Sequence, residues 1–484
     1  MSSETDDPVT PVTPEPSAAS AASAASDASD ASDVSDASEA FGGAEVSEAP
    51  GASGAGLSET ARVARDLIRI DTTNRGGGDA EPERPAADYV AAYLRDLGLE
   101  PEIFESAPGR ASVVARVPGT DPALPAMVLH GHLDVVPADA ANWSVNPFAG
   151  VVRDGMLWGR GAVDMKDMDA MMLTAVAELL RAGERPRREI VLAFFADEEN
   201  GGVYGSHYLV EHHPELFAGA TTAVSEVGGY SIDVEGTRAY LIQTGEKALD
   251  WIRLRARGTA AHGSRVWHDN AITRLAEAIA ALGRHEWPIA LCDTTRELID
   301  HLAAILGEDP QQVAPDELVL RLGKGGGFIQ ASLRNTSNPT VLTAGYKHNV
   351  IPDTAEALVD VRSLPTQQGE VLAEVQRIVG PDIEIETVHS DIGLEVPFGG
   401  ELVDAMTESL RRADPEARVL PYLLSGGTDN KALSRLGITG YGFVPLRLPA
   451  GLDFPGMFHG VDERVPLDAL DFGHSVLVDL LRTY

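Results

Sequence analysis

Residues 189–196 read EIVLAFFA and open directly into Asp197, Glu198 and Glu199. That run constrains the fold more than any other feature, because a continuous apolar strand belongs in a sheet covered on both faces, the usual state of a parallel sheet. Acids gathered at its carboxyl end mark a site, since open α/β sheets hold ligands just beyond their strand ends. The pattern recurs where an apolar strand over 126–129 releases His130, His132 and Asp134. Amphipathic periodicity predicts helices over 57–70 and 86–97, which makes the body of the chain α/β.

A second texture occupies 247–391. Strands are expected over 249–256, 355–361 and 383–388, and helices over 270–282 and 369–379, the order of a split βαβ layer inserted into the first domain. Between its first helix and second strand lies an extra segment, 292–338, with helical character over 295–306 and a glycine-rich stretch, 323–327, expected to be a loop. No chemistry attaches to this segment. The 484 residues thus divide into a tail (1–56), a discontinuous main domain (57–246 and 392–484) and an insert (247–391).

Charge and cysteine content remove whole classes of function. A net charge of −36 argues against nucleic acid and anionic membrane as partners, and no run of about 18 apolar residues is present to span a bilayer. Residues 1–60 carry twelve acids and no lysine or arginine, and 17–40 are almost entirely Ala, Ser and Asp, so the tail is expected to be disordered and to serve solubility. The N-terminus has neither a basic nor an apolar leader region, and with Cys292 as the single cysteine a cytoplasmic location is expected. One cysteine also means that any metal must be held by histidine and carboxylate.

Five segments supply such groups. In Gly131-His132-Leu133-Asp134, the imidazole and the carboxylate two residues on share one side of an extended chain, so Asp134 can orient His132. In the glycine-flanked stretch around Asp164, a carboxylate at a turn can bridge two cations; the helix after it is expected over 169–180, with Asp169 as its N-cap. Asp197, Glu198 and Glu199 would repel one another without cations, and alternation lets one ligate while the other takes a proton from water. Glu226 and His459 each stand near glycines. Each segment alone fits a bland structural role. His130 and His207 are expected to be scaffold histidines, and Trp143, Pro147 and Phe148 a packed loop.

Taken jointly, the five segments resemble the co-catalytic zinc peptidases and deacylases, a family that includes aminoacylase, carboxypeptidase G, acetylornithine deacetylase and succinyl-diaminopimelate desuccinylase. The resemblance runs from about residue 57 to the end. It implies a zinc-exopeptidase-like catalytic domain with a mixed, mainly parallel sheet, and an inserted ferredoxin-like α+β lid that also dimerises. It implies two divalent ions, zinc with cobalt or manganese as substitutes: Asp164 bridging, His132 and Glu226 on one ion, Glu199 and His459 on the other, and Glu198 as general base. In the lid it implies His262 as an oxyanion donor, toward the partner subunit's site, with Asn349 and Arg362 gripping a substrate carboxylate; Gly427 and Thr428 fall in a substrate loop. The implied activity is hydrolysis of an amide bond next to a free carboxylate, in a dipeptide, a C-terminal residue or an N-acyl amino acid. An ester or phosphoester hydrolase and a non-catalytic metal-dependent binding protein are the alternatives. The resemblance also implies a cis peptide after the bridging aspartate. Asp167 departs from the family pattern, where glycine follows the lysine, and is expected to add a carboxylate near the site.

Overall fold

In the computed structural model, which describes residues 56–484, the apolar run becomes the strand Ile190–Phe195 with every residue buried. Alternation sends its side chains both ways. Ile190, Leu192 and Phe194 enter the larger core, while Val191, Ala193 and Phe195 pack in a second core on the opposite face. The strand pairs in parallel with Ala126–His132, from Met127 opposite Ile190 to His132 opposite Phe195. Ala126–His132 pairs in parallel with Ala220–Ser225, which pairs in parallel with Thr439–Gly442. Antiparallel strands Glu102–Ala107 and Arg110–Val117 close one edge, and the whole is a ten-stranded mixed sheet, parallel at its centre. Helices Glu59–Ile68, Lys166–Arg181 and Leu467–Thr483 pack together over the larger core. The expected acidic tail, 1–56, lies outside the described residues apart from Gly56.

The insert builds its own sheet in the order Thr336–Ala344, Thr354–Ser363, Ala248–Arg257, Ile383–Asp391, all neighbours antiparallel. With helices Ala271–Gly283 and Gln368–Val379 this is a βαββαβ unit, the ferredoxin-like layer, around a separate core that includes Ile252, Leu275, Val359 and Val375. The strand Thr336–Ala344 had no expectation in the sequence. Six of its nine residues are exposed, so it lacks the alternation that reveals a half-buried strand.

Segment 292–338 departs further from expectation. Its helices Asp293–Leu306, Pro315–Leu320 and Lys324–Gln330 bury Leu298, Leu302, Val319 and Ile329 in the main core, not in that of the insert. The stretch 323–327, expected to be a loop, is mostly helix. Gly323 turns the chain at φ 62°, but at Gly326 a Cβ would lie 2.4 Å from the carbonyl of Val319. Glycine there serves close helix packing, not disorder.

Candidate active site

Three adjacent parallel strands end on the same side of the sheet and deliver the acidic and imidazole groups together. His132 closes Ala126–His132, Glu226 follows Ala220–Ser225, and Glu198 and Glu199 follow Ile190–Phe195. Asp164 arrives from the turn before Lys166–Arg181, and His459 from the loop before the last helix. The Asp164–Met165 peptide is cis, as the resemblance implied. The helix itself starts at Lys166, three residues earlier than expected, and the buried Lys166 ammonium donates to the carbonyls of Leu67 and Ile70 and to Thr72 Oγ1. Asp169 is therefore inside the first turn and is not an N-cap. Asp167 is fully buried, does not line the cavity, and is pushed well up by burial, so it stands behind the site and adds no carboxylate to its lining.

Asp164 sits between the two imidazoles. Its Oδ1 lies 3.1 Å from His132 Nε2 and its Oδ2 lies 3.3 Å from His459 Nε2. Glu226 Oε2 is 3.4 Å from His132 Nε2, and Glu199 Oε2 is 3.2 Å from His459 Nε2. Two ligands about 2.0–2.1 Å from a tetrahedral ion stand about 3.3 Å apart, so these spacings fit ions held between the groups. A looser grouping within 4.8 Å also joins His132 to Glu199, and to Glu198 with Glu226. The shorter distances decide the sorting, since ligands of one ion must sit edge to edge. They separate His132–Asp164–Glu226 from His459–Asp164–Glu199, with Glu198 3.9 Å from His132 and in neither set.

The electrostatics of the bare cluster point the same way. Burial, with the charges of Asp164 and Glu199, pushes Glu226 up to about 8 against the pull of His132. Burial and Glu226 raise Glu198 well above the carboxylate range. Burial would raise Asp164 too, yet the bonds from His132 and His459 hold it low, and hydrogen bonds to Asp164 and Glu199 drive His459 up to about 11. Four carboxylates this close and this buried are costly without cations to offset them.

The surrounding polar groups are mostly ones that sequence reasoning missed. His132 Nδ1 lies 2.9 Å from the Asp134 backbone carbonyl, which can only accept; Nδ1 is thus a donor, and Nε2 is the nitrogen turned toward Asp164 that a metal ion would take. Asp134 was expected to do this with its carboxylate. That carboxylate instead accepts from the amides of Glu198 and Glu199, each at 3.1 Å. Asn74 Nδ2 ties Asp134 to Asp197 at 2.9 and 3.0 Å, and Arg110 bridges Asp197 and the buried Glu83 at 2.7 and 2.6 Å. Glu463 accepts from the amides of Val163 and Asp164 and from Arg160. Glu463 stands four residues after His459, whereas Asn74, Arg110 and Glu83 carried no local signal.

A cavity of about 420 Å³ opens over the cluster, lined by Asp164, Glu198, Glu199, Glu226 and His459 and by Arg362 from the insert. Arg362 donates to its own neighbour Asp360 at 2.7 Å. Gly427 and Thr428 also line the cavity, but the Thr428 amide and hydroxyl are committed to Glu246 at 2.9 and 2.6 Å, so this residue anchors its loop. His262 and Asn349 do not line it. They stand together on a two-stranded ribbon, where His262 is opposite Val350 and the Gly263 amide donates to the Asn349 carbonyl. His130 is a buried scaffold residue bonded to Asn430 at 2.9 Å, and Trp143 packs against Arg160. His207 differs: it faces the cavity with Asp391 3.7 Å away.

The chain is similar to known proteins over most of its length. Aminoacylase-1 of Sus scrofa is 27% identical over 432 residues, spanning 83% of this chain and 89% of its own. The N-fatty-acyl-amino acid synthase/hydrolase PM20D1 of Mus musculus is 29% identical over 436 residues, spanning 84% and 85%. In fold, the chain is similar to an M20 family metallo-carboxypeptidase from Sulfolobus solfataricus, with a TM-score of 0.67 at 19% identity over 88% of this chain and 99% of that one. Human carnosine dipeptidase 1 superposes with a TM-score of 0.63 at 15% identity, over 87% and 96%. The model for peptidase family M20/M25/M40 matches residues 128–483, from the strand that delivers His132 to the last helix, and the chain belongs to that family.

Proposed function

We propose that this chain hydrolyses an amide or peptide bond next to a free carboxylate, in a dipeptide, a C-terminal residue or an N-acyl amino acid, with two zinc ions held over Asp164. The observation that carries it is Asp164 itself, with one carboxylate oxygen turned to each imidazole. His132 and Glu226 hold one ion, and Glu199 and His459 the other; mixed imidazole and carboxylate ligands suit zinc. When bound, the ions supply Lewis acidity toward the carbonyl oxygen and the attacking water. Glu198 takes the proton from that water and passes it to the leaving nitrogen. Arg362 exchanges Asp360 for the substrate carboxylate as a bidentate pair.

The insert, 247–391 less the three helices that join the main core, serves as the lid. Dimerisation through it is supported by the edge strand Thr336–Ala344 and the residues just after it, where Leu342 is 64% and Tyr346 82% exposed. His262 and Asn349, on the same domain, then serve the partner's site. A reducing, cytoplasmic setting rests on the lone Cys292, and among the described residues no helix is long and apolar enough to cross a membrane.

The test is a panel of dipeptides and N-acetyl, N-succinyl and long-chain N-acyl amino acids offered to the zinc- or cobalt-loaded protein beside Glu198→Gln. Turnover of one class that falls about a hundredfold or more in the variant, at unchanged metal content, is expected. No turnover of any member, or turnover indifferent to the variant, overturns the proposal.

A further inference from the structure

One side of the cavity is apolar, and the residue that completes it comes from the segment to which the sequence assigned no role. Phe328 lies on the helix Lys324–Gln330. Its neighbour Ile329 is buried in the main core, and Gly326 seats the helix against Pro315–Leu320, so the helix is anchored from behind. Phe328 itself is only half-buried and lines the cavity with Phe458, Leu424 and Val227. Its ring stacks on Phe458 with centroids 6.1 Å apart and planes 10° from parallel, and Phe454 meets Phe458 edge-on at 5.5 Å. Phe458 directly precedes His459, so this aromatic wall begins at the edge of the metal cluster. An aromatic side chain left half-covered beside a reaction centre gains most from burial by a bound apolar group.

We propose that segment 292–338 is a specificity element, and that Phe328 on Phe458 selects substrates carrying a large aliphatic or aromatic group next to the scissile amide. The proposal rests on the amide-hydrolase reading of the cluster. That reading decides which bond is cut; Phe328 decides what flanks it. The same wall serves an apolar amino-acid side chain or an apolar acyl chain, and the two are separable by substrate. A pocket contact of this kind discriminates by about tenfold or somewhat more per buried group.

The experiment compares Phe328→Ala and Phe328→Leu with the parent chain, all zinc-loaded, on N-acetylglycine, N-acetylphenylalanine and N-octanoylglycine. In parallel, binding of the same three compounds to the Glu198→Gln chain, with and without Phe328→Ala, is measured by calorimetry. The expected result is a loss of about tenfold in kcat/KM, carried by KM, on one bulky substrate with Phe328→Ala. N-acetylglycine stays within about twofold, and Phe328→Leu recovers most of the loss. The bulky arm that responds identifies the flanking group. Equal losses on all three substrates make Phe328 a packing residue and overturn the proposal, as does no loss on any. If the parent chain cleaves none of them, the N-acyl amino acid branch of the hydrolase reading fails, and the calorimetry still decides Phe328 by whether affinity for the bulky compounds alone drops.

Discussion

The floor of the cavity and the domain above it are built to different degrees of completion. On the floor, polar groups are met from within the chain: Asp134 holds the Glu198–Glu199 turn, Glu463 holds the Asp164 turn, and a backbone carbonyl sets the His132 ring. In the inserted domain, Arg362 is occupied by its neighbour Asp360, and His262 and Asn349 are exposed on a ribbon away from the cavity. The contrast separates two jobs. A preorganised floor can hold ions before substrate arrives, as electrostatic catalysis requires. The roles proposed for the lid groups require a substrate or a second copy of the chain to come to them.

If this division is right, damage to the floor changes metal content and damage to the lid does not. The largest effect should come from Asp164→Asn, which removes the charge shared by both sets of ligands. Activity should fall roughly a thousandfold, about 4 kcal/mol of barrier, and metal analysis should find fewer than two ions per chain. Two tightly held ions in this variant would mean that Asp164 does not bridge.

Next in size is His262→Ala, expected to lower kcat about a hundredfold with metal content unchanged. Mixing it with Glu198→Gln tests whether the imidazole crosses between subunits. Each variant alone is nearly inactive, but a mixed dimer pairs an intact Glu198 with an intact His262 in one of its two sites. Random mixing should therefore restore about a quarter of parental activity. No recovery would place His262 in its own chain's site, and the lid would have to close on itself.

Much of this contrast was open to a reader of the sequence, and for a physical reason. The strand ends that carry His132, Glu198 and Glu226 follow apolar runs, and a parallel sheet brings such ends together whatever the details of packing. The insert's helices and three of its four strands were legible from period alone. What stayed hidden depends on contacts between residues far apart in sequence. Arg110 meets Asp197 across 87 residues, and nothing near either one announces the other. The glycines at 323–327 carried the signature of a loop because composition cannot tell a flexible glycine from one pressed against a carbonyl, as Gly326 is. The two-residue spacing of His132 and Asp134 did place them together. It could not say that the carbonyl, rather than the carboxylate, would take the imidazole proton.

The smallest expected effect tests whether the floor's rigidity matters once its ligands are in place. Asn74 touches no metal ligand's side chain, yet its amide nitrogen donates to Asp134 Oδ2 and Asp197 Oδ1 at once. Two carboxylates facing one amide group require its NH₂ end there. Asn74→Ala leaves those acids in mutual repulsion and frees Asp134, the group that receives the Glu198 and Glu199 amides. The base should then sample more than one position. Polar groups one step removed from a metal commonly cost about tenfold when lost, so kcat should drop by about that much with KM unaltered. A residue that only supports the fold would lower the melting temperature without touching kcat at saturating zinc. If kcat holds while the protein merely melts earlier, Arg110 and the Tyr204 amide suffice to fix Asp197, and Asn74 belongs to the scaffold.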